Sequence, residues 1–177
     1  MYRFFFTPLN FFNVVFTTFG EYVLLITQIF KYPKQWKDYI NLTFDQMMII
    51  GAKSIPIVIL TAIFSGMVTS VQSAYQFESW TPTWFVGSIV GESILLELAP
   101  VISALVLTGR VGATIAAEIG TMRVTEQIDA IESLSFNPVL YLVFPRIVAG
   151  VFMFPILVII ASFFGIFGGW FSATISM

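Results

Sequence analysis

The 177-residue sequence contains no cysteine and no histidine, and only 10% of its residues carry a charge. The absence of cysteine excludes disulfides, thiolate nucleophiles and thiolate metal ligands. The absence of histidine removes the side chain most often used to bind zinc and to move protons near neutral pH. A net charge of −2 offers no basic face, so nucleic-acid binding is not expected.

The residues that fill the sequence instead are apolar. Hydrophobic residues make up 58% of it, and the mean hydropathy is +0.91. A water-soluble domain of this length carries about 25% charged residues, so the composition excludes one. The chain is predicted to be an all-α integral membrane protein.

Two uncharged stretches are long enough to cross a membrane, because a helix that crosses about 30 Å of hydrocarbon needs roughly 20 apolar residues. One lies between Lys53 and Glu78, and the other follows Arg146. They predict spans over about 54–73 and 147–170. A third predicted span, over about 83–107, contains Glu92 and Glu97.

Those two carboxylates make the free energy of inserting the middle span into the membrane close to zero. Its thirteen Leu, Ile, Val and Phe residues favour insertion by roughly 4–8 kcal/mol in total. Two mid-membrane carboxylates oppose insertion by roughly 5–7 kcal/mol. The middle helix is therefore expected to depend on neighbouring helices, on protonation or on a polar cavity.

The N-terminal segment, residues 1–42, has a different pattern. Its apolar part is interrupted by Pro8, Gly20 and Glu21, and is followed by lysines beside Tyr32 and Trp36, residue types that lie at headgroup level. This pattern predicts a helix along the membrane surface, with a further span as the alternative.

The next residues predict the start of the first span. Thr43 and Gln46 have the spacing of a capping box, which predicts the start of a helix that continues into the first span and bends at Pro56.

All eight basic residues fall on one side of this arrangement. They are Arg3, Lys31, Lys34, Lys37, Lys53, Arg110, Arg123 and Arg146. Because positive residues concentrate on the cytoplasmic face, the N-terminus and the 109–146 segment are expected on that face, which we name the positive side.

The first part of the 109–146 segment has a helical repeat of small residues. On a helix they form one face without large side chains, where another backbone can approach closely. This small-residue face consists of Gly109, Gly112, Ala113, Ala116, Ala117 and Gly120.

The second part predicts an amphipathic helix over 123–134. Val124, Ile128 and Ile131 follow one another along one face, and Arg123, Glu126 and Asp129 lie on another. Asn137-Pro138 is expected to end the helix. Periodicity leaves two interpretations open, a solvated surface helix and a docking site for a soluble motor.

The sequence over residues 43–169 closely resembles that of the MlaE-type permeases, the membrane subunits of ABC transporters associated with mammalian-cell-entry (MCE) proteins. The matching elements include Glu97-Leu98, Pro100-Val101, Gly109-Arg110, Gly112, the run AEIGTMRVTEQIDA over 117–130, Asn137-Pro138 and Pro145-Arg146; upstream, Ser65-Gly66-Met67-Val68 and Gln72 also match.

The resemblance implies a phospholipid transporter in which two permease copies, two ATPase subunits and an MCE protein assemble. It implies an interfacial N-terminal helix, five spans and a coupling helix between spans two and three. Residues 43–177 would then be a C-terminally incomplete permease domain. A plastid inner envelope or a bacterial inner membrane is the expected location.

The resemblance also suggests roles for particular residues. Glu97 and Gln72 are expected to line the lipid pathway. Contact with the ATPase is expected from Arg123, Glu126, Ile128, Asp129 and Ile131.

No enzymatic activity, metal or cofactor is expected. Gly51-Ala52-Lys53-Ser54 lacks the Gly-Lys pair of a phosphate loop, so ATP is expected to bind a partner subunit. The alternative function is an ion channel or a proton-coupled carrier that uses Glu92 and Glu97.

Overall fold

The computed structural model describes residues 8–31, 39–77 and 82–176, and within these ranges it contains helices and no strands. Two short segments of other helix types interrupt the α-helices, a 3₁₀ turn at Ala52–Ser54 and a π turn at Ile94–Leu98. The α-helices are α1 (Pro8–Lys31), α2 (Ile40–Ile50), α3 (Ile55–Gln76), α4 (Thr83–Ser93), α5 (Ala99–Val124), α6 (Gln127–Ser133) and α7 (Pro138–Ser176).

Among the described residues, three helical stretches are long and apolar enough to cross a membrane. They are Ile40–Gln76, Trp84–Val124 and Pro138–Ile175, with mean hydropathies of 2.1, 1.9 and 2.7. Each contains one predicted span and extends beyond it. The apolar part of α1, Asn13–Thr27, is shorter than these stretches. The prediction of an all-α membrane protein with three spans is confirmed.

The α3 and α7 helices form the closest pair in the bundle. Their backbones meet at glycines, because a Cβ atom on Gly66 would overlap the carbonyl oxygen of Gly165, and one on Gly168 would overlap that of Ile63. Small residues permit this approach where larger ones would hold the helices apart. Around this crossing lie the buried residues Val58, Ala62, Ile94, Leu107, Leu157 and Ala161.

The start of the first spanning stretch differs from the prediction. Thr43 lies inside α2, where its Oγ1 donates to the carbonyl of Tyr39 at 2.9 Å, and the helix start has no side-chain cap. The capping-box prediction is therefore wrong. The helix is interrupted at Gly51 and the 3₁₀ turn, and not by a bend at Pro56. Pro56 lies in the first turn of α3, where its missing N–H removes no helical hydrogen bond.

Asn137-Pro138 begins a helix and does not end one. The Oδ1 atom of Asn137 accepts the N–H of Val139 at 3.0 Å, as an N-cap does, and Pro138 is the first residue of α7. The preceding helix already ends at Ser133. The prediction for Asn137-Pro138 is corrected accordingly.

The described part of the positive side is held together by contacts between distant segments. Ile29 of α1 and Tyr39 pack with Leu140 and Phe144 of α7, and the Arg110 guanidinium donates to the carbonyl of Lys53. The interfacial placement of residues 1–42 remains a prediction. Several of the residues on which it depends lie outside the described residues, namely Arg3, Tyr32, Lys34, Trp36 and Lys37.

Candidate functional site

Glu97 lies in the π turn, near the middle of its spanning helix. Pro100 has no N–H, so an unbroken α-helix would lose a hydrogen bond here and the proline ring would clash with the preceding turn. The chain widens instead, and the N–H of Ala99 bonds to the carbonyl of Ile94, five residues earlier. Single π turns of this kind occur frequently at functional sites.

The π turn changes the angle between Glu92 and Glu97. In a straight α-helix they would lie about 140° apart. A π turn takes more residues per turn, so the two carboxylates lie closer to one side of the helix than the sequence predicts. Both side chains are exposed on the outer surface of the chain, while the neighbouring Ile94 is buried.

A small cavity lies beside the π turn, between α3, α5 and α7. Thr61, Ser65, Leu98 and Ser103 contribute to its lining, and its volume is about 10 Å³. That space holds about one water molecule. Neither Glu97 nor Gln72 lines it, and Gln72 is exposed near the end of α3. The two predicted pathway residues thus face outward from the bundle.

Two larger apolar grooves were not anticipated from the sequence. One, of about 460 Å³, lies toward the end of the bundle opposite the positive side, with Trp84, Gly87 and Trp170 in its lining. The other, of about 580 Å³, lies between α5 and α7 and includes Ile119 and Phe154. Each falls within the volume range of small-molecule sites.

The small-residue face continues the middle span. Residues 109–120 belong to α5 and are therefore a helical extension of the span, as their period predicts. All six small residues of this face are exposed. A Cβ atom on Gly109, Gly112 or Gly120 would meet no atom of the described residues within 4 Å. Close packing on this face therefore does not occur within the described chain.

The predicted helix over 123–134 is broken into two parts. Arg123 and Val124 end α5, and Glu126 has a left-handed backbone (φ 56°) that turns the chain into α6. Two adjacent β-branched residues, Val124 and Thr125, have low helix propensity at this point. The Arg123 guanidinium pairs with the Asp129 carboxylate at 2.7 Å and so bridges the turn.

Exposure around α6 also differs from the predicted apolar face. Ile128 and Ile131 are half-buried. The most exposed apolar side chains are Val124, at 85%, and Leu134, at 69%, which flank the helix. The surface available to a partner therefore consists of these two residues and the polar side of α6.

An ion pair connects the bases of α5 and α7. The Arg146 guanidinium, only 7% exposed, pairs with the Glu118 carboxylate at 2.9 Å and also donates to the carbonyl of Leu142. Removing Glu118 would leave the buried Arg146 charge without this partner, which is destabilising. The pair thus fixes the relative position of the two helices that α6 connects.

Comparison with known sequences decides the family. The sequence model of the family described as permease MlaE matches residues 43–177. The chain belongs to the MlaE permease family. Its relatives are named permease proteins of ABC transporters, and its three long apolar helices fit an integral membrane protein.

Three relatives of this family member illustrate the similarity. A probable ABC transporter permease protein of Rickettsia felis is 45% identical over 132 residues, which cover 75% of this chain and 51% of the relative. The intermembrane phospholipid transport system permease protein MlaE of Haemophilus influenzae is 36% identical over 76% of this chain and 52% of the relative. The probable ABC transporter permease protein ycf63 of Pyropia yezoensis is 36% identical over 81% and 54%. The chain spans about half the length of these relatives.

Proposed function

We propose that the chain acts as the permease subunit of an ABC-type phospholipid transporter. The observation that carries this proposal is the match to the MlaE family over residues 43–177, with a Haemophilus influenzae relative named for intermembrane phospholipid transport. The apolar grooves beside α7 support a lipid substrate, because their linings are suited to acyl chains.

The energy for transport is proposed to come from a separate ATPase subunit. The Gly51-Ala52-Lys53-Ser54 segment forms a turn and a 3₁₀ turn between two helices, without the strand and the glycine pattern of a phosphate loop. An MCE-domain protein on the opposite side of the membrane completes the proposed complex. The membrane is a bacterial inner membrane or a plastid inner envelope.

A second copy of the permease is proposed to cover the outward-facing polar surface. Glu92 and Glu97 are exposed within a membrane-spanning helix. Carboxylates in this position are costly in contact with lipid and normally face other helices or a water-filled cavity. The exposed small-residue face lies on α5, which continues the same membrane-spanning stretch as these two carboxylates. It permits close approach of another backbone.

Reconstitution tests the transport function directly. Full-length permease, ATPase and MCE protein in proteoliposomes are expected to transfer labelled phospholipid only when ATP is hydrolysed. An ATPase variant that binds but does not hydrolyse ATP is the control. Ion conductance by the permease without ATP, and no lipid transfer, would favour the channel or proton-coupled carrier instead.

The docking surface for the ATPase gives a specific prediction. The double variant Val124→Asp, Leu134→Asp is expected to lose ATPase in pull-down while its level in the membrane stays unchanged. Two charges placed in an apolar contact cost about 1–3 kcal/mol each when they are left unpaired. The rest of the proposed coupling surface consists of the exposed polar residues Arg123, Glu126 and Asp129. Ile128 and Ile131, which the sequence also predicts to contact the ATPase, are half-buried and contribute only their exposed edges.

Ile175→Asp is the matched control for this pull-down. Ile175 is similarly exposed, at 70%, but lies near the far end of α7. The same type of substitution there is expected to leave ATPase binding intact. Retention of ATPase by the double variant would show that the α6 region is a solvated surface.

The small-residue face gives a second prediction. Gly112→Leu and Ala116→Leu are expected to leave the isolated chain folded but to reduce association of permease copies in native mass spectrometry. Overpacking a close helix contact costs about 1–3 kcal/mol, and the described chain places nothing within 4 Å of a Cβ on Gly112.

Ile115→Leu is the control for this face. Ile115 lies on the same helix but is half-buried against the core of the bundle. Exchange of isoleucine for leucine conserves the side-chain volume. Association of copies is expected to be unchanged. Equal loss of association in all three variants would contradict the proposed interface.

A further inference from the structure

The segment that connects the bases of α5 and α7 has no buried core of its own. Every residue between Val111 and Leu140 is described, and all of them are exposed or half-buried. A segment with few buried contacts has low local stability and is not held in place by its own packing. Because α6 lies in this segment, a force applied to α6 reaches the bundle through the bases of α5 and α7.

Those bases are only partly packed against each other. The groove of about 580 Å³ opens between them, with Ile115 of α5 and Ile147 of α7 in its lining. Arg146 lines the same groove, and its guanidinium reaches the Glu118 carboxylate of α5 at 2.9 Å. The ion pair is therefore a direct link between the two helices at a level where their apolar contact is incomplete.

Stability alone is a weak explanation for this ion pair. The Arg146 side chain is 7% exposed and that of Glu118 is 38% exposed, so at least the guanidinium has lost most of its hydration. Among the described residues, Glu118 is the one carboxylate that pairs with Arg146. Apolar residues of similar volume often replace such a pair without loss of stability, because desolvation of the charges offsets their attraction.

The ion pair differs from apolar packing in its directionality. A charge-assisted hydrogen bond holds two groups at a defined distance and orientation, whereas apolar contact is non-directional and lets two surfaces slide. On its other side α7 meets α3 where Gly165 contacts Gly66. A displacement of the end of α5 would thus pass through the ion pair to α7, and through the glycine contact to α3.

We propose that Glu118 and Arg146 are positioning residues that couple movement of α6 to movement of α7. This inference rests on the proposed function, because it requires an ATPase docked beside α6 and a lipid moved by the bundle. Neither residue is assigned a contact with lipid or nucleotide. Loss of the pair should therefore leave ATP hydrolysis in place and reduce the lipid moved for each ATP.

An apolar replacement of the pair separates this role from a structural one. The double variant Glu118→Leu, Arg146→Met removes both charges, and its melting temperature and its ATPase pull-down are expected to match those of the unsubstituted chain. Full-length permease, ATPase and MCE protein are reconstituted in proteoliposomes, where lipid transfer and ATP hydrolysis are measured together. The lipid transferred per ATP is expected to fall about tenfold in the double variant, as expected for loss of one coupling contact.

Single substitutions show whether the charge carries the effect. Glu118→Gln keeps the size of the side chain and removes its charge, and is expected to lower the lipid transferred per ATP. Glu118→Asp keeps the charge and is expected to recover part of it. Asp45→Leu is the matched control and is expected to change nothing, because Asp45 is exposed on α2 and forms no ion pair within the described residues.

The results that would overturn the proposal differ from those that would overturn the transport function. A double variant that moves as much lipid per ATP as the unsubstituted chain would make the pair structural only. A clear fall in melting temperature or in ATPase binding would also overturn the proposal, because the pair would then act through folding or assembly. Both results leave the transport function intact. Absence of ATP-driven lipid transfer by the unsubstituted chain would overturn the transport function and this proposal together.

Discussion

Gly66→Ala is expected to lower the melting temperature of the detergent-solubilised chain substantially. The added Cβ would overlap the backbone carbonyl of Gly165 on α7, and a backbone atom cannot rotate away as a side chain can. The two helices must then separate along their contact. Overpacking of this kind costs about 1–3 kcal/mol or more in folding free energy. Gly168→Ala, which meets the carbonyl of Ile63, is expected to act in the same direction.

Gly87→Ala on α4 is the matched control. A Cβ atom at Gly87 meets no described atom within 4 Å. Because alanine favours a helix over glycine by about 0.8–1.0 kcal/mol, this substitution is expected to raise the melting temperature or leave it unchanged. Equal losses at Gly66 and Gly87 would show that the α3–α7 contact does not determine stability.

Glu97→Lys is expected to reduce ATP-driven lipid transport by the assembled transporter at least about tenfold, equivalent to about 1.4 kcal/mol in the limiting step. Glu97 lies about 20 Å along the helix axis from Arg110, which is well inside a hydrocarbon core about 30 Å thick. Reversal of the charge there replaces a hydrogen-bond acceptor by a cation with no acceptor capacity.

Glu92→Gln is the comparison for this experiment, and it is expected to retain most of the transport. Glu92 lies before the π turn, whereas Glu97 lies within it and belongs to the Glu97-Leu98 element of the family resemblance. Transport is measured in proteoliposomes with ATPase activity recorded in parallel, which separates a lipid-pathway defect from failed assembly. Unchanged transport by Glu97→Lys would remove Glu97 from the proposed pathway.

The number of spans could be predicted from the sequence, but the irregularities within them could not. The length of an uncharged run determines whether a helix can cross the membrane, and this length is read from one continuous segment of the sequence. The π turn at Ile94–Leu98 depends on how the chain accommodates Pro100 within a packed bundle. A sequence read with a period of 3.6 residues throughout therefore misplaces Glu92 relative to Glu97.

The helix boundaries near the positive side show a second limit of the sequence. Thr43 and Gln46 have capping-box spacing, yet both lie inside α2. The amphipathic period over 123–134 predicts one helix, whereas the structure has a turn at Glu126. A single residue with a left-handed backbone ends a helix without changing the spacing of the apolar residues, so the period does not reveal it. Similarly, a cavity lined by Gln46 and Thr114, among others, brings together α2 and α5, which are far apart in the sequence.

The length of α7 has a mechanical consequence. Its 39 residues extend about 58 Å, almost twice the hydrocarbon thickness. The glycine contact with α3 lies about 40 Å from Pro138, at the start of the helix. If α7, which contains Pro145 and Pro155, tilted as a rigid rod by about 5° about that contact, its Pro138 end would move by about 3.5 Å. Its opposite end, about 16 Å from the contact, would move by less than half as much. A small rotation of α7 about its glycine contact inside the membrane would therefore appear as a larger displacement of its Pro138 end, beside α6.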